Sequence, residues 1–399
     1  MDMSDLISIL NQAAHDPPKD AESRKQLHDA ARKLMFAAEG HHELMHRVLF
    51  SQIPLTVSKV AADIDVFRVL SSQPGEQHTT EKLAQATSAD GILLLRILRG
   101  LAAHGLIGET SDGSWYANAA TEVFATEMIK DGIDQNQMTL GPCHQALPTF
   151  LRETKYRNPT NNTHIPFNVA FNTCEPVFTW LQHHPANLKA MIGTMPAQRS
   201  GQANWFAEPT IFNPADFTLS QSDMEAGRVL MVDVGGGGGQ QSLALRTARP
   251  QLGGKVLVQD LPWVVSSLDS AQAQRLKDHE IEVQTADFTQ PQAVEGAKVY
   301  YMRNILHDWP DAECLVILRH LRQAMSDDSV VVIDEMVVRK GASSHKQVNY
   351  DICMMAVLAS MERTEEQWGV LLGEAGLRVR EAREYDAGSG DSVVFAAKA

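Results

Sequence analysis

The chain has 399 residues, 44% of them hydrophobic and 21% charged, which is the composition of globular material and more length than one typical domain needs. Its formal charge of −14 excludes a general binder of nucleic acid or anionic membrane, since both demand positive potential. The expected partner is a small molecule.

Residues 1–50 are polar and helix-prone, with apolar positions at helical spacing and few aromatic residues, so they read as an arm that packs on something else. The acidic start has no targeting pattern, and no later run reaches the ~18 apolar residues of a membrane span. Within the arm, His42-Glu43-Leu44-Met45-His46 matches a zinc-hydrolase signature. No third ligand or cleft pattern follows it, so it reads as an exposed polar helix.

Residues 51–125 form the next expected unit. Val57, Val60, Ile64, Phe67 and Leu70 recur at helical steps, a capping signal at Thr79-Thr80-Glu81 opens a second helix, and Asp90 leads into a third. Leu106-Ile107-Gly108 and Trp115-Tyr116-Ala117, joined through Asp112-Gly113, read as a hairpin. Helices followed by a hairpin make a winged helix, a frequent DNA reader. Positions 58–120, however, carry five Lys or Arg against seven acids, the wrong balance for DNA.

Residues 126–222 are rich in Pro, His and aromatic residues and mostly helical by pattern, with a polar break at Asn158-Pro159-Thr160-Asn161-Asn162. Asn161-Asn162-Thr163 fits a glycosylation acceptor but reads as a polar loop without a secretory signal. In 223–399 strands alternate with helices, from Val229–Val234 through a helix over 264–276 to a last strand over 393–397. This predicts an α/β fold, a Rossmann-like, parallel, doubly wound sheet with its ligand at the carboxyl ends of the strands. Cys143, Cys174, Cys314 and Cys353 are widely spaced with no Cys-x-x-Cys pair, which points to a reducing compartment, the cytoplasm.

The first of these strands ends in Val232-Asp233-Val234 and five glycines, Gly235 to Gly239. Bare backbone lets a nucleotide-like ligand lie close, and the absence of a following Lys-Ser/Thr excludes a triphosphate loop. Asp233 would repel a pyrophosphate and can neutralise a cation. Asp260 closes the next hydrophobic run, where such folds hold ribose hydroxyls. A positively charged nucleoside fits both acids.

These features, continued by Gln259-Asp260-Leu261-Pro262, Asp287-Phe288, Leu306-His307-Asp308-Trp309 and Glu362-Arg363-Thr364, resemble the ordered motifs of S-adenosylmethionine-dependent O-methyltransferases of the plant caffeate and fungal polyketide type. The likeness runs from about Leu55 to the C-terminus. It implies S-adenosylmethionine as cofactor, no metal, a homodimer built through the helical, winged-helix N-terminal domain, and methyl transfer to a hydroxyl of a secondary metabolite. It assigns the general base to His307, with Glu335 and Glu362 flanking the imidazole. It places the cofactor against Asp233, Gly235, Gly237, Asp260, Leu261, Asp287, Phe288, Arg303 and Trp309, with Arg303 standing where plant relatives carry Lys.

The same resemblance puts an apolar, aromatic-binding acceptor pocket over the reactive methyl, lined by His144, Phe171, Phe178, Met191, Met195, Asp308, Met354, Met355 and Leu358. Some fungal relatives instead keep the cofactor as fixed charge and catalyse dehydration and pericyclic ring closure. For that alternative His144 is a polar contact beside His307, Asp308 and Arg303.

Overall fold

The protein is described here by a computed structural model covering residues 2–195, 204–341, 344–386 and 388–399. It divides into two compact units, Met1–Thr126 and Glu127–Ala399.

In the first unit the helices Met3–His15, Ala21–Ala38 and His41–Leu49 form the arm, and the first and third bury no residue. The apolar repeat from Leu55 to Leu70 is split between helices Ile53–Asp63 and Val66–Ser71, because Asp65 takes a left-handed φ of 58° that a continuous helix cannot hold. Thr79 and Asp90 cap the next two helices through the amides of Lys82 and Leu93. The hairpin is short: β1 (Gly108–Glu109) pairs antiparallel with β2 (Trp115–Tyr116). Trp115 is buried and donates its indole N–H to Thr80 Oγ1, 3.0 Å.

The second unit opens with helices Glu127–Gln135, Gly141–Glu153, Pro166–Phe171, Val177–Gln182 and Pro185–Thr194. The sheet follows: β3 (Val229–Val234), β4 (Lys255–Asp260), β5 (Ile281–Thr285), β6 (Val299–Arg303), β7 (Val330–Met336), β8 (Leu377–Asp386) and β9 (Asp391–Lys398), in the order β5-β4-β3-β6-β7-β9-β8. Strands β3 to β7 are parallel, but β9 pairs antiparallel with both β7 and β8. The parallel, doubly wound sheet expected from the alternation is present in five strands, and β9 departs from it because it returns from β8 through a short turn. The helix expected over 264–276 is also two helices, Pro262–Ser267 and Ser270–Asp278. Asp269 caps the second by accepting from Gln272 N, 2.8 Å.

Chain order runs outward from β3 in both directions, so the crevice between the ends of β3 and β6 is the switch point where such sheets hold ligands. Under one face lies an aromatic cluster of Trp205, Phe206, Phe212, Phe217, Tyr301 and Phe395. At its edge the buried Asp334 carboxylate accepts from Trp205 Nε1 (3.0 Å), Tyr301 O–H (2.6 Å) and Tyr385 O–H (2.7 Å), and Arg303 Nε stands 3.7 Å away. A buried carboxylate needs such donors, because an unmet acceptor costs about 1–3 kcal/mol. Trp205→Phe keeps an aromatic ring, though a smaller one, and removes one donor. Urea unfolding is expected to register a loss of about 1–3 kcal/mol with the m-value unchanged.

Candidate active site

The glycine turn meets the β6 loop directly. Gly235 has φ +69°, and a Cβ there would fall 2.5 Å from Ile305 Cδ1 and 3.5 Å from a Phe288 ring atom, so only bare backbone fits. Asp260 accepts from Gly237 N at 2.8 Å and from Leu261 N at 2.7 Å, which ties the loop to the end of β4. Burial pushes its pKa up, against those two hydrogen bonds. Asp233 lies beneath the loop, 2% exposed, and accepts from Ser242 Oγ at 2.7 Å. Burial raises its pKa to about 6. The acid expected to face a cation is tied to the helix that follows the glycines, Gln240–Ala248.

A cavity of about 130 Å³ opens beside Gly235, lined also by Gln259, Asp287, Phe288 and His320. Asp287 caps its own loop, accepting from Thr289 N at 2.9 Å and from the Thr289 hydroxyl. A second cavity, about 150 Å³, is lined by Asn162, Val177, Phe178, Thr179, Asp308, Trp309 and Leu358. Trp309 stands between two rings, with Phe288 at 5.9 Å and Phe178 at 5.8 Å between centroids.

His307 sits in the 3₁₀ turn Leu306–Asp308 that follows β6 and is 4% exposed. Its Nδ1 is 2.8 Å from Glu362 Oε1 and its Nε2 is 3.4 Å from Asp308 Oδ1, so each ring nitrogen faces a carboxylate. Burial alone would lower the ring's pKa, but Glu362 and then Asp308 outweigh it and raise it to about 10. Burial lifts Asp308 to about 6, opposed by the imidazolium.

Glu335, a charge that acts on the imidazole, also holds the turn by its backbone. Its Oε1 accepts from the backbone N–H of Ile305 (3.1 Å), Leu306 (2.7 Å) and His307 (3.3 Å). The reason is geometric: the turn after β6 directs its unpaired amides at the end of β7, and a buried carboxylate there satisfies all three.

Among the residues expected around the acceptor, Phe171, Phe178, Met191 and Met354 pack on one apolar cluster with Phe167 and Trp180, and Leu358 is buried in that cluster. His144 Nε2 is 3.3 Å from Cys353 Sγ. Met355 is half-buried and Met195 is 49% exposed. Asp351, which accepts from Glu362 N at 2.9 Å, and Ser242 carried no sequence signal. In the arm, the His42 and His46 rings lie 4.6 Å apart, and among the described residues no group of three or more His, Cys, Asp or Glu could hold a metal.

An O-methyltransferase domain model matches residues 211–378. Over 95% of its length the chain is 32% identical to demethylsterigmatocystin 6-O-methyltransferase of Aspergillus flavus, covering 94% of that protein. The chain belongs to the S-adenosylmethionine-dependent O-methyltransferase family. The enzyme is also 32% identical to the O-methyltransferase lepI of Aspergillus flavus, with 92% of each chain covered. A solved structure described as a pericyclic reaction enzyme superposes with a TM-score of 0.87 at 28% identity, over 99% of both chains. S-adenosylmethionine is the methyltransferase's cofactor, and the cradle at Gly235 with the Asp260-held loop fits a nucleoside.

Because the folded pKa of His307 lies above its unfolded value near 6.5, the ring's contribution to stability is full below about pH 6.5 and is lost as pH rises toward 10. NMR of histidine-labelled, cofactor-free protein is expected to find this ring titrating well above 6.5. Glu362→Gln is expected to move that titration down, and an unshifted ring would contradict the geometry.

Proposed function

We propose that the enzyme transfers a methyl group to a hydroxyl on a flat, largely apolar aromatic scaffold of secondary metabolism, with His307 as proton acceptor. The observation that carries this reading is the 2.8 Å contact between His307 Nδ1 and Glu362, which leaves Nε2 as the nitrogen beside Asp308, a lining residue of the 150 Å³ cavity. S-adenosylmethionine supplies a methyl group made electrophilic by the sulfonium. The residues proposed to hold it are Gly235, Gly237, Asp260 and Leu261 along the loop, Asp287 and Phe288 at the base, and Arg303 and Trp309 at the β6 end, with Asp233 supporting the turn.

The protein's own chemistry is then simple. An acceptor hydroxyl hydrogen-bonds to Nε2 in place of Asp308, and its proton passes to the ring as the oxygen loses its electron pair to the new bond. Glu362 keeps the opposite N–H oriented and stabilises the imidazolium that results. Phe178, Trp309 and Leu358 exclude water and favour a flat ring, with Met354 and Met191 in the apolar layer behind. For acceptance at Nε2 the ring must start with that nitrogen unprotonated, so turnover should rise with pH. The named substrate of the Aspergillus flavus relative, demethylsterigmatocystin, supports an acceptor of this class.

We further infer a homodimer. Ile7, Ile9, Leu44, Val48 and Leu49 stand exposed on arm helices that bury nothing within one chain, and a second copy would cover them. The four free cysteines support a reducing compartment such as the cytoplasm, and no described helix is long and apolar enough to cross a membrane.

A second reading has one observation in its favour. With a carboxylate on each ring nitrogen, His307 is poised as a charged hydrogen-bond donor, which a pericyclic catalyst can use on a carbonyl. The likeness to lepI and to the pericyclic reaction enzyme supports keeping it. Incubation with methyl-labelled cofactor and a panel of phenols and hydroxypyridones separates the two. Label in product together with one S-adenosylhomocysteine per turnover, abolished by His307→Ala while cofactor binding persists, is the expected result. Consumption of substrate to an isomer or dehydrated ring without S-adenosylhomocysteine would replace it.

A further inference from the structure

Arg363 is among the largest fully buried side chains of the protein, at 1% exposure. A guanidinium is costly to bury unless its donors are used, and here they are. Nη1 donates to Leu306 O at 2.9 Å, and Nη2 donates to Trp309 O at 3.0 Å and to Asp311 Oδ1 at 2.7 Å. The charge also lies 5.2 Å from the centre of the Trp368 ring. The two carbonyls bracket the turn that carries His307.

The same turn is held from its other side by Glu335. Leu306 thus has its N–H on a full negative charge and its C=O on a full positive one. Residues 360–363 add two more grips: Ser360 Oγ donates to Trp309 O at 2.8 Å, and Glu362 takes the imidazole. The short segment is itself anchored, since Val338 N donates to Arg363 O at 3.0 Å just beyond the end of β7. One strip of chain therefore fixes both the ring's partner and the backbone from which the ring hangs.

We propose that Arg363, opposed by Glu335, is a positioning residue that sets the His307 ring against Glu362 and the Trp309 indole between the cofactor-side and acceptor-side aromatic rings. The proposal rests on the reading of His307 as the working base. A planar fork can bridge two carbonyls three residues apart, whereas an ammonium is a point charge that meets one of them. Arg363→Lys thus keeps the charge and loses the bridge. Misplacing a reacting group by about 1 Å costs on the order of 100-fold in rate.

The decisive readout needs no substrate. The groups facing the imidazole are Glu362, Asp308 and Glu335, with Asp351 behind Glu362 and Arg363 below the turn, and only the geometry among them changes in Arg363→Lys. The His307 titration, followed by NMR, is expected to fall by roughly one pH unit or more toward 6.5. Affinity for S-adenosylmethionine, measured by calorimetry, should stay within about threefold, and kcat should fall roughly 10- to 100-fold with KM moving much less. A folded Arg363→Lys whose ring titrates as in the parent overturns the proposal, whatever happens to rate. If that variant does not fold, Asp311→Asn removes the carboxylate that orients the guanidinium at the exposed end of the turn. A smaller downward shift then supports the proposal and an unmoved ring overturns it. Because the titration is read in cofactor-free protein, absence of methylated product would count against the methyl-transfer reading alone.

Discussion

A histidine with a carboxylate at each ring nitrogen keeps that geometry only while the backbone turn that carries it is held in place. In this enzyme the 2.8 Å contact of His307 with Glu362 depends on a turn whose amides are met by Glu335 and whose carbonyls are met by Arg363. Remove Glu335 and three buried amides of the turn lose their acceptor; remove Arg363 and the carbonyls of Leu306 and Trp309 lose a charged donor. The site therefore sets two cations, His307 and Arg363, among three carboxylates, Glu335, Glu362 and Asp308. That count leaves the surroundings net negative, a favourable environment for a positively charged ligand and for a proton kept on the ring.

The sheet supplies the frame for this set. Parallel strands β3 and β6 end side by side at the switch point, so the glycine turn and the histidine turn touch through Gly235 and Ile305. Trp309, three residues beyond Leu306, reaches ring contact with Phe288 on one side and Phe178 on the other. A single short turn thus lines one cavity through Asp308 and Trp309 and packs on Phe288, which lines the other. Small shifts in it would alter the base and the dividing wall together.

Much of this was legible in the residues. The alternation after Val229, the glycine run and the ordered motifs pointed to the sheet, the cradle and the His307 loop, because each depends on local backbone needs that leave marks in sequence. The antiparallel edge was harder: β8 reads Leu-Arg-Val-Arg-Glu-Ala-Arg-Glu-Tyr-Asp, and its charges hide a strand that is set by pairing with β9. The breaks at Asp65 and Asp269 are likewise tertiary and capping choices that override apolar periodicity. Glu335 was marked as a site residue, yet its role on backbone amides is a matter of which way one carboxylate faces, and motif spacing carries no such information. Arg363 lies in a motif, yet an arginine beside a helix start looks like surface until its burial is known.

In the proposed reaction the acceptor oxygen and the His307 imidazole share a proton across Nε2 while Nδ1 stays on Glu362. A crystal structure with S-adenosylhomocysteine and the methyl acceptor bound tests it most directly. The acceptor oxygen is expected at hydrogen-bond distance from Nε2, with Asp308 displaced from that nitrogen and the Glu362 contact kept. An acceptor oxygen lying well away from the ring, with Nε2 still facing Asp308, would contradict it.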